Sequence, residues 1–177
     1  MVTNIMGLKK GQKIKSRGNG YTLVIPNSSE PLVQNFYQEA LTYAGNTAGK
    51  QRIGRFVDFV YKGIRGERGW EKGEKEVSLL SSLGLRKGVC KEKAALLSMI
   101  LSLDGIENDY KRGSVPDEND ELERHAWLKV KLDNEFWLAD PSYGPRFGKY
   151  ESATRMGNYS EDGNFLERAL EKLKKRK

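Results

Sequence analysis

A chain of 177 residues with 37% hydrophobic and 31% charged residues is long enough for one domain with its own core, and its composition excludes a disordered tail. No apolar run approaches about eighteen residues, which excludes a membrane-spanning helix, and the single cysteine excludes a disulfide within the chain. The net charge of +7 is concentrated at the two ends, which permits a polyanionic partner without requiring one.

Residues 1–18 place Lys9, Lys10, Lys13 and Lys15 among Gly7, Gly11 and Gly18, and read as a flexible basic arm ahead of a single domain over 19–177. No apolar stretch with a small-residue cleavage site follows those lysines, so the expectation is a cytoplasmic protein. Tyr21–Ile25 has the makeup of a short strand and stops at Pro26. Ser28 or Ser29 can cap the helix that follows, Pro31 fits its first turn, and Leu32, Val33, Phe36, Tyr37, Ala40, Leu41 and Ala44 recur at helical spacing up to Gly45. A second helix is expected over Arg52–Ile64 with Ile53, Phe56, Val57 and Val60 on its apolar stripe. Residues 66–76 are glycine-rich and charged, hence a loop, with Trp70 as its one large apolar side chain. Val77–Leu85 suits a short helix.

From Cys90 to Leu103 the pattern is helical again, with Cys90, Ala94, Leu97 and Leu101 on one face and Gly105 as the stop. Ile106–Val115 reads as a strand and residues 116–124 as an acidic loop. His125–Leu132 alternates as a half-buried strand does, Asp133-Asn134 suits a tight turn, and Glu135–Asp140 is the returning strand, ended by Pro141. Residues 142–159 read as a long loop, and Phe165, Leu166, Ala169, Leu170 and Leu173 as a C-terminal helix. Helices followed by antiparallel strands give an α+β layout.

The hairpin carries the functional argument. A two-residue turn at Asp133-Asn134 pairs Leu132 with Glu135 and sets Trp127 opposite Asp140. His125 then points to the same face as Trp127 and is a diagonal neighbour of Asp140, with Cβ atoms roughly 7 Å apart. A carboxylate there fixes the imidazole tautomer and favours imidazolium, which in turn favours a nearby thiolate. Cys90 follows Gly88 at a helix N-terminus, where free N–H groups and the helix dipole favour an anion and can serve an oxyanion. Gly88 is read as leaving space above the sulfur. The residues alone leave a second reading open: Cys90 as helix packing, His125 as a polar strand-start residue, and Asp140 before Pro141 as a turn closure.

Three segments, taken in order, resemble the transglutaminase-like superfamily of papain-type cysteine peptidases and acyltransferases. They are Gly88-Val-Cys90-Lys-Glu-Lys-Ala94, His125-Ala-Trp127 with Val130, and Phe136-Trp-Leu-Ala-Asp140-Pro141, with Tyr110–Gly113 resembling the strand between. The resemblance covers about residues 53–142. It implies a papain-like core with Cys90 as nucleophile on a helix N-terminus packed against an antiparallel sheet, His125 as base and Asp140 as the residue that orients it. It also implies a side-chain donor for the oxyanion upstream of the cysteine, for which Trp70 is the candidate; a core anchor is its competing role. The implied chemistry is thiol-dependent acyl transfer on a protein or peptide, with hydrolysis preferred and cross-linking of a glutamine to an amine as the alternative, and no cofactor or metal. A non-catalytic binding module is the remaining alternative: the basic ends could meet nucleic acid, but no zinc-finger, RNP-like or GXXG motif accompanies them.

Overall fold

The computed structural model describes residues 7–15, 20–71, 73–116, 122–155 and 159–161. The apolar spacing around Phe36 and Phe56 forms α1 (Pro31–Ala44) and α2 (Gly49–Gly63), which pack on each other. No serine caps α1; Glu30 holds the cap position without a side-chain bond, and the helix opens directly on Pro31, whose missing N–H costs nothing there. Arg52 on α2 makes a two-pronged bond to Asp104, Nε and Nη2 donating at 2.7 Å each, and Tyr37 of α1 donates to the same carboxylate at 3.0 Å. That carboxylate follows the last turn of α4 (Cys90–Leu103), so three helices are tied at one end.

Helix α4 is the centre of the fold. Every residue from Glu92 to Leu101 is buried, which an amphipathic surface helix cannot satisfy and a helix enclosed on all sides must. Leu96, Leu97, Ile100 and Leu101 are almost wholly removed from water, each stabilising the fold by about 1.5–3 kcal/mol relative to exposure. On one side α4 meets α2 and α3 (Leu79–Leu85), and on the other it packs against β6 (Asn108–Pro116) and β7 (Leu122–Leu132).

Those two strands lie inside a five-stranded antiparallel sheet with β8 (Glu135–Asp140), β9 (Arg146–Lys149) and β10 (Ser160–Glu161), in the order β10-β6-β7-β8-β9. The β7–β8 register runs from Leu132↔Glu135 to Leu128↔Ala139, as the two-residue turn requires. Asp133 and Asn134 both take positive φ, 52° and 62°, the pair of values a type I′ hairpin turn needs. Ala126, Leu128, Val130 and Ala139 face the helices, while Trp127 and Leu138 face a second cluster with Tyr150 and Tyr159.

Several segments differ from the sequence reading. Within the basic arm, Lys13–Lys15 forms β1, antiparallel to β2 (Thr22–Val24), which runs parallel to β4 (Glu76–Ser78). Within the expected loop after α2, Arg65–Gly66 forms β3, parallel to β5 (Lys87–Gly88). The acidic stretch is shorter than expected, because β6 continues to Pro116 and β7 begins at Leu122, so Glu123 and Arg124 are strand residues paired with Val115 and Ser114. The expected loop 142–159 contains β9 and α5 (Tyr150–Arg155). These additions are short elements held by pairing and packing with distant parts of the chain, which local pattern does not report. The expected C-terminal helix lies outside the described residues, as do 1–6 and 16–18 of the arm.

Candidate active site

The hairpin register delivers the contact it promises. His125 Nε2 lies 2.8 Å from Asp140 Oδ2, and both side chains are completely shielded from solvent. Asp140 is saturated: Tyr159 donates its hydroxyl to Oδ2 at 2.7 Å, and the Ser142 N–H donates to Oδ1 at 2.9 Å. The aspartate thus closes the turn through Pro141 with one oxygen and holds the imidazole with the other, so the two roles weighed from the sequence coexist. Burial by itself would raise its pKa, but His125, Tyr159 and the Ser142 N–H hold it below the ordinary carboxylate value.

The other ring nitrogen of His125, Nδ1, is buried and has no hydrogen-bond partner among the described residues. It is the nitrogen left for Cys90, whose side chain lies near enough to influence the ring. Burial pulls the imidazole pKa down; the hydrogen bond to Asp140, the charge of that carboxylate and the neighbouring Cys90 outweigh it and push the value up from 6.5 to about 9. The ring is therefore an imidazolium at neutral pH. Tyr143 stacks on it with centroids 4.7 Å apart, and Tyr143 in turn donates to Glu123.

Cys90 is the first residue of α4 and is partly exposed. Its helix start is built by Glu92, which accepts the Val89 N–H at 2.8 Å and the Tyr21 hydroxyl. Gly88 serves this arrangement rather than leaving room over the sulfur: a Cβ there would lie 2.7 Å from Glu92 Cβ and 3.0 Å from Ser82 Oγ. Glu92 is thus a buried structural carboxylate. Burial raises the Glu92 pKa, with Tyr21 and the Val89 N–H opposing it.

A cavity of about 280 Å³ opens beside the sulfur, lined by Cys90, His125, Tyr21, Tyr110 and basic side chains. Trp70 is not among its lining residues. It packs edge-on against Tyr21, with centroids 6.4 Å apart, and its indole Nε1 is buried without a partner among the described residues. A larger cavity, about 1180 Å³, is lined by Tyr143, Tyr159, Arg146 and Phe147 and does not include Cys90. The thiol and imidazole together, not size, mark the chemically capable cavity. Among the described residues no group of three or more His, Cys, Asp or Glu could hold a metal ion, and no helix is long and apolar enough to cross a membrane.

Sequence reasoning missed Tyr21, Tyr110, Tyr143 and Tyr159. Tyr110 and Tyr21 sat in predicted strands, where a tyrosine is unremarkable. Tyr159 gave no local signal, because its contact with Asp140 depends on β10 crossing next to β6.

The model of the transglutaminase-like superfamily matches residues 38–141 of the chain. No curated protein matches it by sequence. Among solved structures, a candidate cysteine protease from Cytophaga hutchinsonii superposes with a TM-score of 0.51 at 16% identity, covering 74% of this chain and 47% of that one. A protein described as a TGase superposes with a TM-score of 0.51 at 12% identity, covering 63% of this chain and 31% of that one. The chain spans less than half the length of either structure, and at such identities the similarity concerns the fold.

Proposed function

The chain belongs to the transglutaminase-like superfamily, and on that premise we propose that it catalyses thiol-dependent acyl transfer at a peptide or carboxamide bond, ending in hydrolysis, with Cys90 as nucleophile, His125 as acid–base and Asp140 as the orienting carboxylate. The observation that carries this reading is a buried imidazole clamped at Nε2 by Asp140, with Nδ1 without a hydrogen-bond partner among the described residues and near the only thiol of the chain.

In this mechanism the thiolate of Cys90 attacks the carbonyl carbon while His125 stands protonated next to it. The negative charge that develops on the carbonyl oxygen meets the first-turn N–H of Cys90, which has no partner within the helix. In this reading the indole N–H of Trp70, buried without a partner among the described residues, is the candidate side-chain donor. His125 then gives its proton to the departing amine, leaving a thioester on Cys90. Water, deprotonated by the same imidazole, releases the acid and restores the thiol. Asp140 keeps Nε2 engaged, so that Nδ1 is the nitrogen that exchanges protons.

The test is incubation of the protein with mixed peptides, with and without a primary amine, read by mass spectrometry. Cleavage or deamidation that disappears in Cys90→Ser is the expected result. Amine incorporation in place of hydrolysis would move the reading to cross-linking, and products that persist in Cys90→Ser would refute the site.

A further inference from the structure

The lining of the cavity beside Cys90 carries charge of one sign. Lys15, Lys91, Arg112 and Arg124 all contribute to it, and no aspartate or glutamate does among the described residues. Neither Lys15 nor Arg112 forms an ion pair with a described carboxylate; the Arg112 guanidinium donates instead to the Lys15 carbonyl at 2.6 Å. Elsewhere the protein pairs its cations routinely: Lys13 with Glu76, Lys87 with Glu67, Lys111 with Asp109, Lys131 with Glu107. Lys91 is itself half-buried in this lining, and burial lowers its pKa against the pull of Glu92, Glu71 and Cys90.

A second, independent observation comes from Tyr110, which lines the same cavity. Its hydroxyl is buried and has no hydrogen-bond partner among the described residues. Burial holds the phenol well above its ordinary pKa, so it remains a donor. An unused buried donor inside a ring of cations is matched by one kind of ligand group, an oxyanion with several acceptor sites.

We propose that this cavity binds a carboxylate of the substrate, so that the acyl donor bears an acidic side chain or a free carboxyl terminus next to the bond attacked by Cys90. The described lining selects a ligand of negative charge. Arg112 and Lys15 supply the field, and Tyr110 supplies the neutral hydrogen bond at close range. This inference rests on the reading of Cys90 as the nucleophile, and its test separates the two.

Cys90 is the only cysteine, so alkylation reports on this site alone. The probes are iodoacetate and iodoacetamide, which differ chiefly in charge, with each rate followed by intact mass. The rate ratio, iodoacetate over iodoacetamide, is normalised to the same ratio for 2-mercaptoethanol; a ratio of rates cancels any general change in thiol reactivity. The wild-type ratio is expected to exceed that of the small thiol by about tenfold at low salt and to collapse in 0.5 M sodium chloride, a size set by field focusing in a charged cleft. Part of the preference belongs to the His125 imidazolium and persists in all cavity variants. The part due to the cavity disappears in Lys15→Gln/Arg112→Gln, while Lys131→Gln, on the far end of β7, leaves the ratio at the wild-type value. An equal ratio in wild type and in the double variant, with iodoacetamide still reacting quickly, overturns the carboxylate site and leaves the nucleophile reading standing. Slow reaction with both reagents, indifferent to His125→Ala, overturns the nucleophile reading itself. The wild-type salt series needs no variant and decides the matter should the double variant fold poorly.

Discussion

Replacing Asp140 with asparagine removes one charge and almost no volume from the centre of the site. The amide can still accept from the Ser142 N–H, which donates to Oδ1 at 2.9 Å, so the turn survives. What is lost is the negative charge at Oδ2, 2.8 Å from His125 Nε2, that offsets the burial of the ring. The imidazole pKa then falls below its wild-type value of about 9, which stands above the ordinary 6.5, with Cys90 alone left to oppose burial. At about 1.4 kcal/mol per unit, the difference corresponds to about 3 kcal/mol between the two protonation states. The direction with pH follows from linkage. A folded-state pKa raised above the unfolded value contributes stability that is fully present below pH 6.5 and is lost as pH rises through about 9. Wild type should therefore lose up to about 3 kcal/mol of unfolding free energy between those pH values, and Asp140→Asn should lose clearly less. Asp140, with its lowered pKa, acts at the acid end: its contribution is present above the ordinary carboxylate range and is lost as pH falls through its folded-state value. Because the chain has one histidine, a single imidazole NMR resonance reports the titration. A wild-type midpoint near 6.5, or a midpoint near 9 that survives in Asp140→Asn, refutes the reasoning.

Other substitutions test the supporting structure. Gly113 pairs with His125, and a Cβ on it would sit 1.7 Å from the Ser160 carbonyl oxygen and 2.7 Å from Trp127 Cη2. Gly113→Ala should push β10 off the sheet and cost about 2–4 kcal/mol in urea denaturation; unchanged stability would contradict the close approach of β10. Tyr159→Phe removes one buried donor to Asp140 and should cost about 1–2 kcal/mol while keeping the imidazole midpoint well above 6.5. Arg52→Ala breaks the two-pronged bond to Asp104 and should lower stability by about 1–3 kcal/mol without altering the alkylation rate of Cys90, since its partners lie at the far end of α4. A large change in that rate would show that the helix tie and the site are coupled.

The parts of the site legible in the sequence are those fixed by local rules. Asp133-Asn134 tolerates the positive φ of a type I′ turn, that turn sets the β7–β8 register, and the register alone makes His125 and Asp140 diagonal neighbours. Apolar spacing likewise located α1, α2 and α4. The illegible parts depend on segments far apart in the chain. Tyr21 reaches Glu92 across 71 residues to shape the turn that leads into Cys90, and Tyr159 reaches Asp140 only because β10 joins the sheet beside β6. Gly88 was misread because its constraint comes from a residue on the next turn, Glu92, and not from its own backbone angles. The cations that frame the cavity come from β1, α4, β6 and β7, and only tertiary structure gathers them.

The central claim is that the thiol of Cys90 and the imidazole of His125 form one reactive unit. The most direct measurement is the rate of iodoacetamide alkylation of Cys90 at pH 6, read by intact mass in wild type and in His125→Ala. A paired imidazolium keeps the sulfur reactive at that pH, so wild type should alkylate at least about tenfold faster than the variant, whose rate should climb only in alkaline solution as for an isolated thiol. Equal rates for the two proteins across pH 5 to 9 would contradict the account.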